Sequence, residues 1–475
     1  MITRILFFSL IMIMSNYAQN IIELVNKKIE SGEFIEAQRI IDSSGNDFSL
    51  SEQEKLGLNF LNEKMDRIRL DFKKTESDML EYISKYYPEV NSSDLKKWED
   101  NGSLEYKIID GEKFYFNRAH GNLFRVDKEA KSQKQKVDGN QKDKLDAFLE
   151  QHAPKVIEQV KSSNSNTVLP QKFRIKYTLT VDADVVPDGE VIKCWLPYPR
   201  EGHKRQKDIS LLTVNSEEYI LADNKNMQRT LYIQKLASTG APTEFLYSLE
   251  YTGLNEWYEL NSSKVQTYDE ESDLFMLYTS ERLPHIQFTD KIKTLSAEII
   301  GDETNPYLKA KKIYTWINDN IPWAGAREYS TLDNISDYCI SKGYGDCGIQ
   351  TLLFMTLCRY NGIPAKWQSG WMMHPGSLNL HDWSEIYFEG VGWVPVDQSF
   401  KCIDSSDENV KYFFLGGIDA FHFIVNDDYS APLFPAKIFP RSETVDFQRG
   451  EVEWRGGNLY FDKWDYNMEV EYLFE

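Results

Sequence analysis

The chain has 475 residues, of which 41% are hydrophobic and 13% aromatic, a composition typical of a folded protein with about two to four domains. Its formal net charge of −20 at pH 7 argues against a nucleic-acid backbone or an anionic membrane as the partner. The five cysteines are too few for a disulfide-dense scaffold, and because none of them forms a CxxC pair, a common structural zinc site is not expected.

Residues 1–18 have the features of a secretory signal peptide. They combine an early Arg4, an apolar run from Ile5 to Met14 and a small residue, Ala18. A transmembrane anchor is the alternative, but the apolar run is shorter than the roughly 20 residues that span a bilayer. We therefore expect cleavage near Ala18, export to the periplasm or the extracellular space, and no stable membrane insertion afterwards.

The next part of the chain is mainly helical. Apolar residues recur at three- and four-residue steps from Asn20 to Tyr87, and a β-hairpin is predicted around Asp110 and Gly111. The polar residues 127–144 predict a solvated loop or connector, and the Ser- and Asn-rich stretch 161–170 predicts a domain boundary. These patterns predict a helical N-terminal domain with a β-hairpin over residues 19–165.

Three further regions follow, and together they predict an α+β fold class. Over residues 170–260 the apolar pattern alternates with a period of two between turn sequences, which predicts a β-sandwich domain. Helical and then alternating patterns follow, which predict a region of mixed helices and strands. Residues 426–475 return to β-like sequence with a hairpin at Gly456–Gly457, and we expect this terminal element to pack on the core.

Cys347 stands at the start of a helical pattern. The turn GYGD precedes it, and the apolar pattern of the helix stops at Gly362 with Pro364 beyond. The dipole and the unpaired amides at a helix N-terminus favour a thiolate, which is the reactive form of cysteine. A small buried hydrophobic residue is the alternative reading of a free cysteine, and Cys358, inside the apolar pattern, fits it.

His381 and Asp397 supply the residue types that a nucleophilic cysteine needs. His381 opens an alternating segment, and Asp397 closes the next one after a turn at residues 389–392. Pairing the two segments as a hairpin brings their far ends together, so these residues become neighbours. Asp382 is nearer in sequence but points to the opposite face of its strand, which makes it the weaker candidate. Cys347, His381 and Asp397 would then be nucleophile, base and orienting group.

The remaining histidines are weaker candidates for the base. His374 lies in turn sequence at the edge of the predicted cleft, and His422, flanked by two phenylalanines, is expected to be a packed core residue. The seven-residue gap between His374 and His381 matches no standard ligand pair, so neither a metal nor a cofactor is expected. Partners in the nearby sequence are lacking for His120, His152, His203 and His285.

Two stretches resemble the core of the transglutaminase-like superfamily: GDCGIQTLLFMTLCRYNGIPAKWQSGW, which contains Cys347, and HDWSEIYFEGVGWVPVD, which runs from His381 to Asp397. The family pattern is a cysteine opening a helix that ends in a GIPAR-like turn, then H-x-W-x-E-x-Y, a short turn and G-W-x-P-x-D. Lys366 replaces the usual arginine. The matching residues are Cys347, Gly362, Ile363, Pro364, Ala365, His381, Trp383, Glu385, Gly392, Trp393, Pro395 and Asp397.

The resemblance implies a papain-like catalytic core over residues 275–425, in which a helix bearing Cys347 packs on an antiparallel sheet bearing His381 and Asp397. It also implies acyl transfer, in which the thiolate attacks an amide carbonyl of a protein or peptide substrate and the leaving amine is protonated by His381. The Cys347 backbone N–H is one expected donor to the oxyanion. Relatives use a Trp or Tyr side chain as another donor, and Trp323 is the residue nominated here.

Three functions stay open at this level. We expect hydrolysis of peptide or amide bonds by an exported enzyme, with cross-linking or deamidation of protein glutamine as the alternative. A non-catalytic binding module on the same fold is the third possibility, and an intact set of catalytic residue types disfavours it. The sequence leaves open the substrate, the oligomeric state, the role of the first two domains, and any disulfide pairing among Cys194, Cys339, Cys358 and Cys402.

Overall fold

The structure, a computed structural model, describes residues 21–44, 50–139 and 142–473, so the predicted signal peptide at residues 1–18 lies outside the described residues. Contacts divide the chain into two units. The first comprises Met1–Asn140 with Ala324–Leu332, and the second comprises Gln141–Trp323 with Asp333–Glu475. None of the described helices combines the length with the apolar character that a bilayer crossing requires.

The first unit consists of helices and a β-hairpin around one hydrophobic core. Three of its described helices begin with capping boxes, at Ser51, Thr75 and Asn91. Gly325 joins this unit by exchanging two hydrogen bonds with the side chain of Asn122, at 2.8 and 2.9 Å. The elements are residues 21–31 (α1), Phe34–Ser44 (α2), Glu52–Asp71 (α3), Glu76–Ile83 (α4), Ser92–Asp100 (α5), Tyr106–Ile109 (β1), Glu112–Tyr115 (β2), Ala119–Val126 (α6), Lys128–Asp138 (α7) and a 3₁₀ turn at Tyr329–Thr331.

The prediction of a loop over residues 127–144 is wrong, because α7 occupies most of that segment. Asp127 caps the helix by accepting the Ala130 N–H at 2.8 Å. Ala130 is the buried residue of this helix, so its sequence carries almost no apolar period. A helix that buries a single side chain is stabilised by its cap and by its charged surface, and neither leaves a periodic signal.

The second unit contains seven helices and fourteen strands among its described residues. Every ladder between these strands is antiparallel. The helices are Lys144–Ser162 (α8), Asp273–Thr279 (α9), Asp290–Ile300 (α10), Pro306–Asn320 (α11), Ile335–Lys342 (α12), Cys347–Tyr360 (α13) and Glu408–Lys411 (α14). The strands are Thr167–Val181 (β3), Val191–Pro197 (β4), Gln206–Val214 (β5), Ile220–Leu221 (β6), Thr230–Leu236 (β7), Thr243–Trp257 (β8), Ala365–His374 (β9), Ser377–Phe388 (β10), Gly392–Val396 (β11), Gly417–Ile418 (β12), His422–Asn426 (β13), Glu451–Trp454 (β14), Gly457–Leu459 (β15) and Trp464–Leu473 (β16).

Two five-stranded sheets share a hydrophobic core, and both contain strands from the C-terminal part of the chain. One has the order β12-β8-β3-β16, with β5 also paired to β8, and the other has the order β15-β14-β4-β7-β6. The C-terminal strands expected to pack on the core therefore pair with the strands predicted as a separate sandwich. Helix α8 lies in the second unit because it packs on β3 and β8, so the division falls at residue 140 and not at 161–170.

A four-stranded sheet of order β11-β10-β9-β13 carries the predicted site, and α13 packs on β9 and β10. The predicted α+β fold, with a cysteine-bearing helix on an antiparallel sheet, is confirmed. Trp371 and Met373 of β9 and Phe423 of β13 belong to the same core as the two larger sheets. The sheet that carries the predicted site therefore shares its hydrophobic core with the two larger sheets.

Gly370 of β9 lies directly against β13, where a Cβ would meet the Phe423 carbonyl oxygen at 1.9 Å. Replacing Gly370 by Ala must push the two strands apart. We therefore expect the free energy of unfolding to fall by at least about 1–3 kcal/mol. Calorimetry should show a lowered melting temperature. Gly121→Ala in α6 is the control, since nothing lies within 4 Å of its Cβ position. Equal melting temperatures for both variants would contradict this packing.

Candidate active site

Cys347 is the first residue of α13, as the helix stop and start signals predict. Asp346 is the N-cap, and its side chain accepts the Ile349 N–H at 3.1 Å. The helix ends at Tyr360, and Gly362 follows with φ +71°, a backbone conformation that favours glycine. Apart from Tyr360 and Cys347, the residues of α13 are buried, whereas Cys347 is half-buried at the helix start.

The thiol of Cys347 donates a hydrogen bond to Asp382 Oδ2 at 3.2 Å. Burial raises the pKa of this thiol well above its ordinary value, and the carboxylates of Asp382 and Asp346 raise it further, while the Asp382 backbone N–H opposes the shift. The expectation of a thiolate favoured by the helix terminus is therefore reversed. A helix dipole contributes about 0.3–2 kcal/mol, which burial and two adjacent carboxylates outweigh.

Asp382 belongs to a group of buried carboxyls close to the thiol. Burial raises the pKa of Asp382 to about 7, and the negative charge of Asp346 adds to the shift. Gln448 Nε2 donates to Asp382 Oδ1 at 2.7 Å and to the His381 carbonyl oxygen at 2.8 Å, which holds this end of β10 in place. Burial and the neighbouring Asp382 also raise the pKa of Asp446 well above its usual range.

His381 and Asp397 lie together at the end of the β10–β11 hairpin, with His381 Nε2 2.5 Å from Asp397 Oδ2. The hairpin pairs Ser384 with Val396, which places Asp397 one position beyond the ladder. Although burial alone would raise the pKa of Asp397, the His381 and His422 rings hold it well below its usual range. Asp397 is therefore a carboxylate that fixes one nitrogen of the His381 ring.

The structure brings His381 and Asp397 together but leaves Cys347 with a different partner. Within the described residues, no hydrogen bond joins Cys347 to His381, and the thiol donates to Asp382, the next residue of β10. Because Asp397 engages Nε2, the ring nitrogen left to receive a thiol proton is Nδ1. The catalytic roles of the three residues stay predictions.

The other matched motif residues hold the hairpin in shape. Trp383 Nε1 donates to Gln368 Oε1 on the neighbouring strand at 2.9 Å. Lys366, which stands in place of the usual arginine, pairs across the strands with Glu385 at 2.8 Å. Its ammonium also lies 4.4 Å from the centre of the Trp393 ring. These contacts account for the tryptophans and the glutamate of the motif as structural residues.

Trp323 lies next to the turn that leads into Cys347. Its backbone forms an isolated parallel bridge with Gly345, and the Gly345 N–H donates to the Pro322 carbonyl oxygen at 3.3 Å. This position is compatible with the nominated role, because Gly345 precedes the nucleophile by two residues. The role of the indole as an oxyanion donor stays a prediction.

Three residues near His381 are connected in ways that sequence reasoning missed. His422 Nε2 lies 3.1 Å from Asp397 Oδ2, and His422 Nδ1 lies 2.8 Å from Asp419 Oδ1. His374, expected in a turn at the cleft edge, is instead the buried last residue of β9 and lies 2.7 Å from Asp419 Oδ2. Asp419 and His422 are close in sequence, but His374 and Asp397 come from distant parts of the chain, so no local spacing reveals this pairing.

Two overlapping triples in this region have ligand atoms within 4.8 Å of one another: His374, Asp419 and His422, and His381, Asp397 and His422. Their contacting nitrogen and oxygen atoms lie 2.5–3.1 Å apart. Two ligands of a tetrahedral zinc ion, each about 2.0–2.1 Å from the metal, are about 3.3 Å apart. The observed nitrogen–oxygen distances are shorter than this and are those of hydrogen bonds.

Residues 293–398, which contain all three predicted catalytic residues, match the sequence profile of the transglutaminase-like superfamily. The match confirms that this part of the chain resembles a transglutaminase-like core. An uncharacterised protein of Haemophilus influenzae is 26% identical over 275 residues, which cover 50% of this chain and 73% of that protein. The uncharacterised protein YebA of Bacillus subtilis is 27% identical over 157 residues, which cover 29% of this chain and 20% of YebA.

Two solved structures show a partial likeness. A crystal structure described as a candidate cysteine protease from Cytophaga hutchinsonii is 17% identical with a TM-score of 0.44, covering 65% of this chain and 91% of that one. The periplasmic domain of TgpA from Pseudomonas aeruginosa is 12% identical with a TM-score of 0.27, covering 50% of this chain and 93% of that domain. At these TM-scores neither likeness bears on the function of the chain.

Replacing Asp382 by Asn removes the carboxylate that contacts the thiol, and we expect the pKa of Cys347 to fall. Iodoacetamide should then alkylate Cys347 faster at pH 7–8, by roughly threefold for each unit of the shift, because the thiolate fraction rises while its nucleophilicity falls. Asp346→Asn keeps a capping side chain and should give a smaller gain. Peptide mass spectrometry separates this label from that on Cys402.

The control for the thiol experiment is Asp404→Asn, which removes an exposed carboxylate elsewhere on the unit. Its rate should equal that of the wild type. An unchanged alkylation rate in Asp382→Asn would contradict the assignment of this carboxylate as a cause of the raised pKa.

Proposed function

We propose that the protein is a thiol hydrolase of peptide or amide bonds, acting outside the cytoplasm as residues 1–18 predict. One observation carries the proposal. Half-buried Cys347 opens α13, which packs on β10, and its thiol contacts Asp382 of that strand. The preceding residue, His381, pairs with the buried carboxylate of Asp397 at 2.5 Å. Cysteine, histidine and aspartate in this relation supply a nucleophile, a base and its orienting group.

The first half of the reaction forms a thioester. His381 Nδ1 accepts the proton of the Cys347 thiol, and Sγ bonds to the carbonyl carbon of the substrate. The oxyanion develops beside the helix start, where the Cys347 backbone N–H and, as nominated, Trp323 can donate to it. The C–N bond then breaks, and His381 returns the proton to the departing amine.

The second half releases the acid and restores the thiol. His381 deprotonates a water molecule, which attacks the thioester carbonyl. The C–S bond breaks, and the Cys347 sulfur regains its proton from His381. Asp397 stays ionised throughout and stabilises the imidazolium that forms in both halves, a role that its low pKa supports. Asp382 takes no proton in this scheme and holds the thiol in the resting enzyme.

Substitution of the proposed nucleophile and base tests this scheme. Cys347→Ala and His381→Gln should each lower the hydrolysis of a peptide library at least about 1000-fold, because each removes a group that the chemistry requires. Cys402→Ala, which removes the other half-buried thiol, should keep full activity.

Asp382→Asn separates the two groups that could take the thiol proton. It should retain activity if His381 is the base. Loss of activity in Asp382→Asn together with retention in His381→Gln would overturn the proposed mechanism.

The acceptor that attacks the thioester, water or an amine, distinguishes hydrolysis from cross-linking. A glutamine peptide offered with and without a primary amine should release ammonia at the same rate and incorporate no amine, because we assign water as the acceptor. Mass spectrometry of the peptide products measures the partition. Amine incorporation that rises with amine concentration at the expense of acid would establish a transglutaminase instead.

A further inference from the structure

Five buried side chains form one hydrogen-bonded network along the four-stranded sheet, and three of them lie outside the proposed triad. From His381 the network runs to Asp397 (2.5 Å), His422 (3.1 Å), Asp419 (2.8 Å) and His374 (2.7 Å). Each of the five residues is at most 4% exposed. Its members come from β9, β10, the end of β11 and the start of β13, so the network connects all four strands.

The protonation of His422 follows from its two partners. Nδ1 faces a carboxylate oxygen of Asp419, and Nε2 faces a carboxylate oxygen of Asp397. An ionised carboxylate only accepts, and a neutral imidazole has a single N–H, so the doubly protonated ring alone donates to both. Although burial disfavours a charged ring, Asp419 and Asp397 raise the pKa of His422 above its ordinary value.

Both carboxylates have further donors that keep them ionised. Asp397 Oδ1 accepts from the Ser399 N–H (3.0 Å), the Ser399 hydroxyl (2.8 Å) and the Phe400 N–H (3.1 Å). Asp419 Oδ1 accepts from the Phe421 N–H at 3.0 Å. Despite burial, the histidines on either side hold the pKa of Asp419 well below its usual range.

The surroundings of His422 are otherwise buried and aromatic. The rings of Trp383, Phe400 and Phe414 have their centres 4.8–6.1 Å from that of the imidazole. Arg205 also faces His422 and donates to its carbonyl oxygen at 2.8 Å. In such surroundings an unpaired charge is unfavourable. Removal of either carboxylate should therefore make the His422 ring lose its second proton.

His374 closes the far end of the network as a neutral ring. Burial lowers its pKa below the ordinary value, and its Nδ1 has no hydrogen-bond partner among the described residues. Its Nε2–H therefore serves Asp419 alone. With two carboxylates and one imidazolium, the resting network carries one net negative charge, which is cancelled when His381 accepts a proton.

We propose that His422 is an imidazolium positioning residue that holds the Asp397 carboxylate toward His381, with Asp419 as its counter-charge. The proposal rests on His381 being the base of the proposed function. Because the network becomes neutral when His381 takes the thiol proton, the buried charges favour that transfer. Asp419 and His422 thus act on the reaction through Asp397 and touch no substrate.

The protonation state can be read without any activity. In the full chain labelled with ¹⁵N-histidine, one ring should show two protonated nitrogens at every pH from 5 to 8, and His422→Gln should remove that signal. Equimolar zinc should leave it unchanged. A spectrum in which no ring is doubly protonated at pH 8, or loss of both ring protons on adding zinc, would overturn the proposal.

The kinetic arm uses Asp419→Asn, which removes the counter-charge and leaves the triad intact. His422 should then lose a proton between pH 5 and 8, so the kcat profile gains an ionisation that the wild type lacks. Above that ionisation kcat should fall about 10- to 100-fold with KM little changed.

The control for this arm is His203→Gln, which removes a histidine bound to Asp427 outside the network and should keep the wild-type profile. A superimposable profile in Asp419→Asn would overturn the proposal. An active Cys347→Ala would instead overturn the proposed function and leave the NMR result standing.

Discussion

A carboxylate with no exposed surface is tolerated only when hydrogen-bond donors surround it, and Asp397 meets that demand from three directions. The backbone and hydroxyl of Ser399 serve one oxygen, while two imidazole rings serve the other. Each donor comes from a different part of the chain, so the ends of β10, β11 and β13 must meet at one point. The need to satisfy one buried charge therefore sets the geometry in which His381 is held.

Opposing electrostatic effects act on the pKa of the Cys347 thiol. The start of α13 favours a thiolate, and so does the N–H of Asp382, yet burial and two carboxylates keep the proton on sulfur. His381 and the carboxylate that discourages ionisation of the thiol are thus adjacent residues of β10. A thiol kept protonated at rest is oxidised slowly, because oxidants act on the thiolate.

Local patterns predicted the parts of the site that depend on local geometry. A helix start at Cys347 follows from the turn before it, and the meeting of His381 with Asp397 follows from a hairpin with a short turn. The contact of Asp382 with the thiol depends on how α13 approaches β10, which strand alternation alone cannot reveal. Likewise, Asp419 and His422 reach the site through β13, a strand whose place in the sheet is set by tertiary pairing. Helix α7 was missed because it buries one residue.

The pairing of β16 with β3 has a consequence for the order in which the chain can assemble. Val181 of β3 pairs with Trp464, which follows it by 283 residues, and the strands of the four-stranded sheet lie between them in the sequence. Contacts closed over so long a loop form slowly and late. During synthesis β3 must wait with one edge unpaired until almost the whole chain has emerged. A polypeptide that ends before residue 464 lacks β16, the edge strand of a sheet that shares its hydrophobic core with the sheet carrying His381.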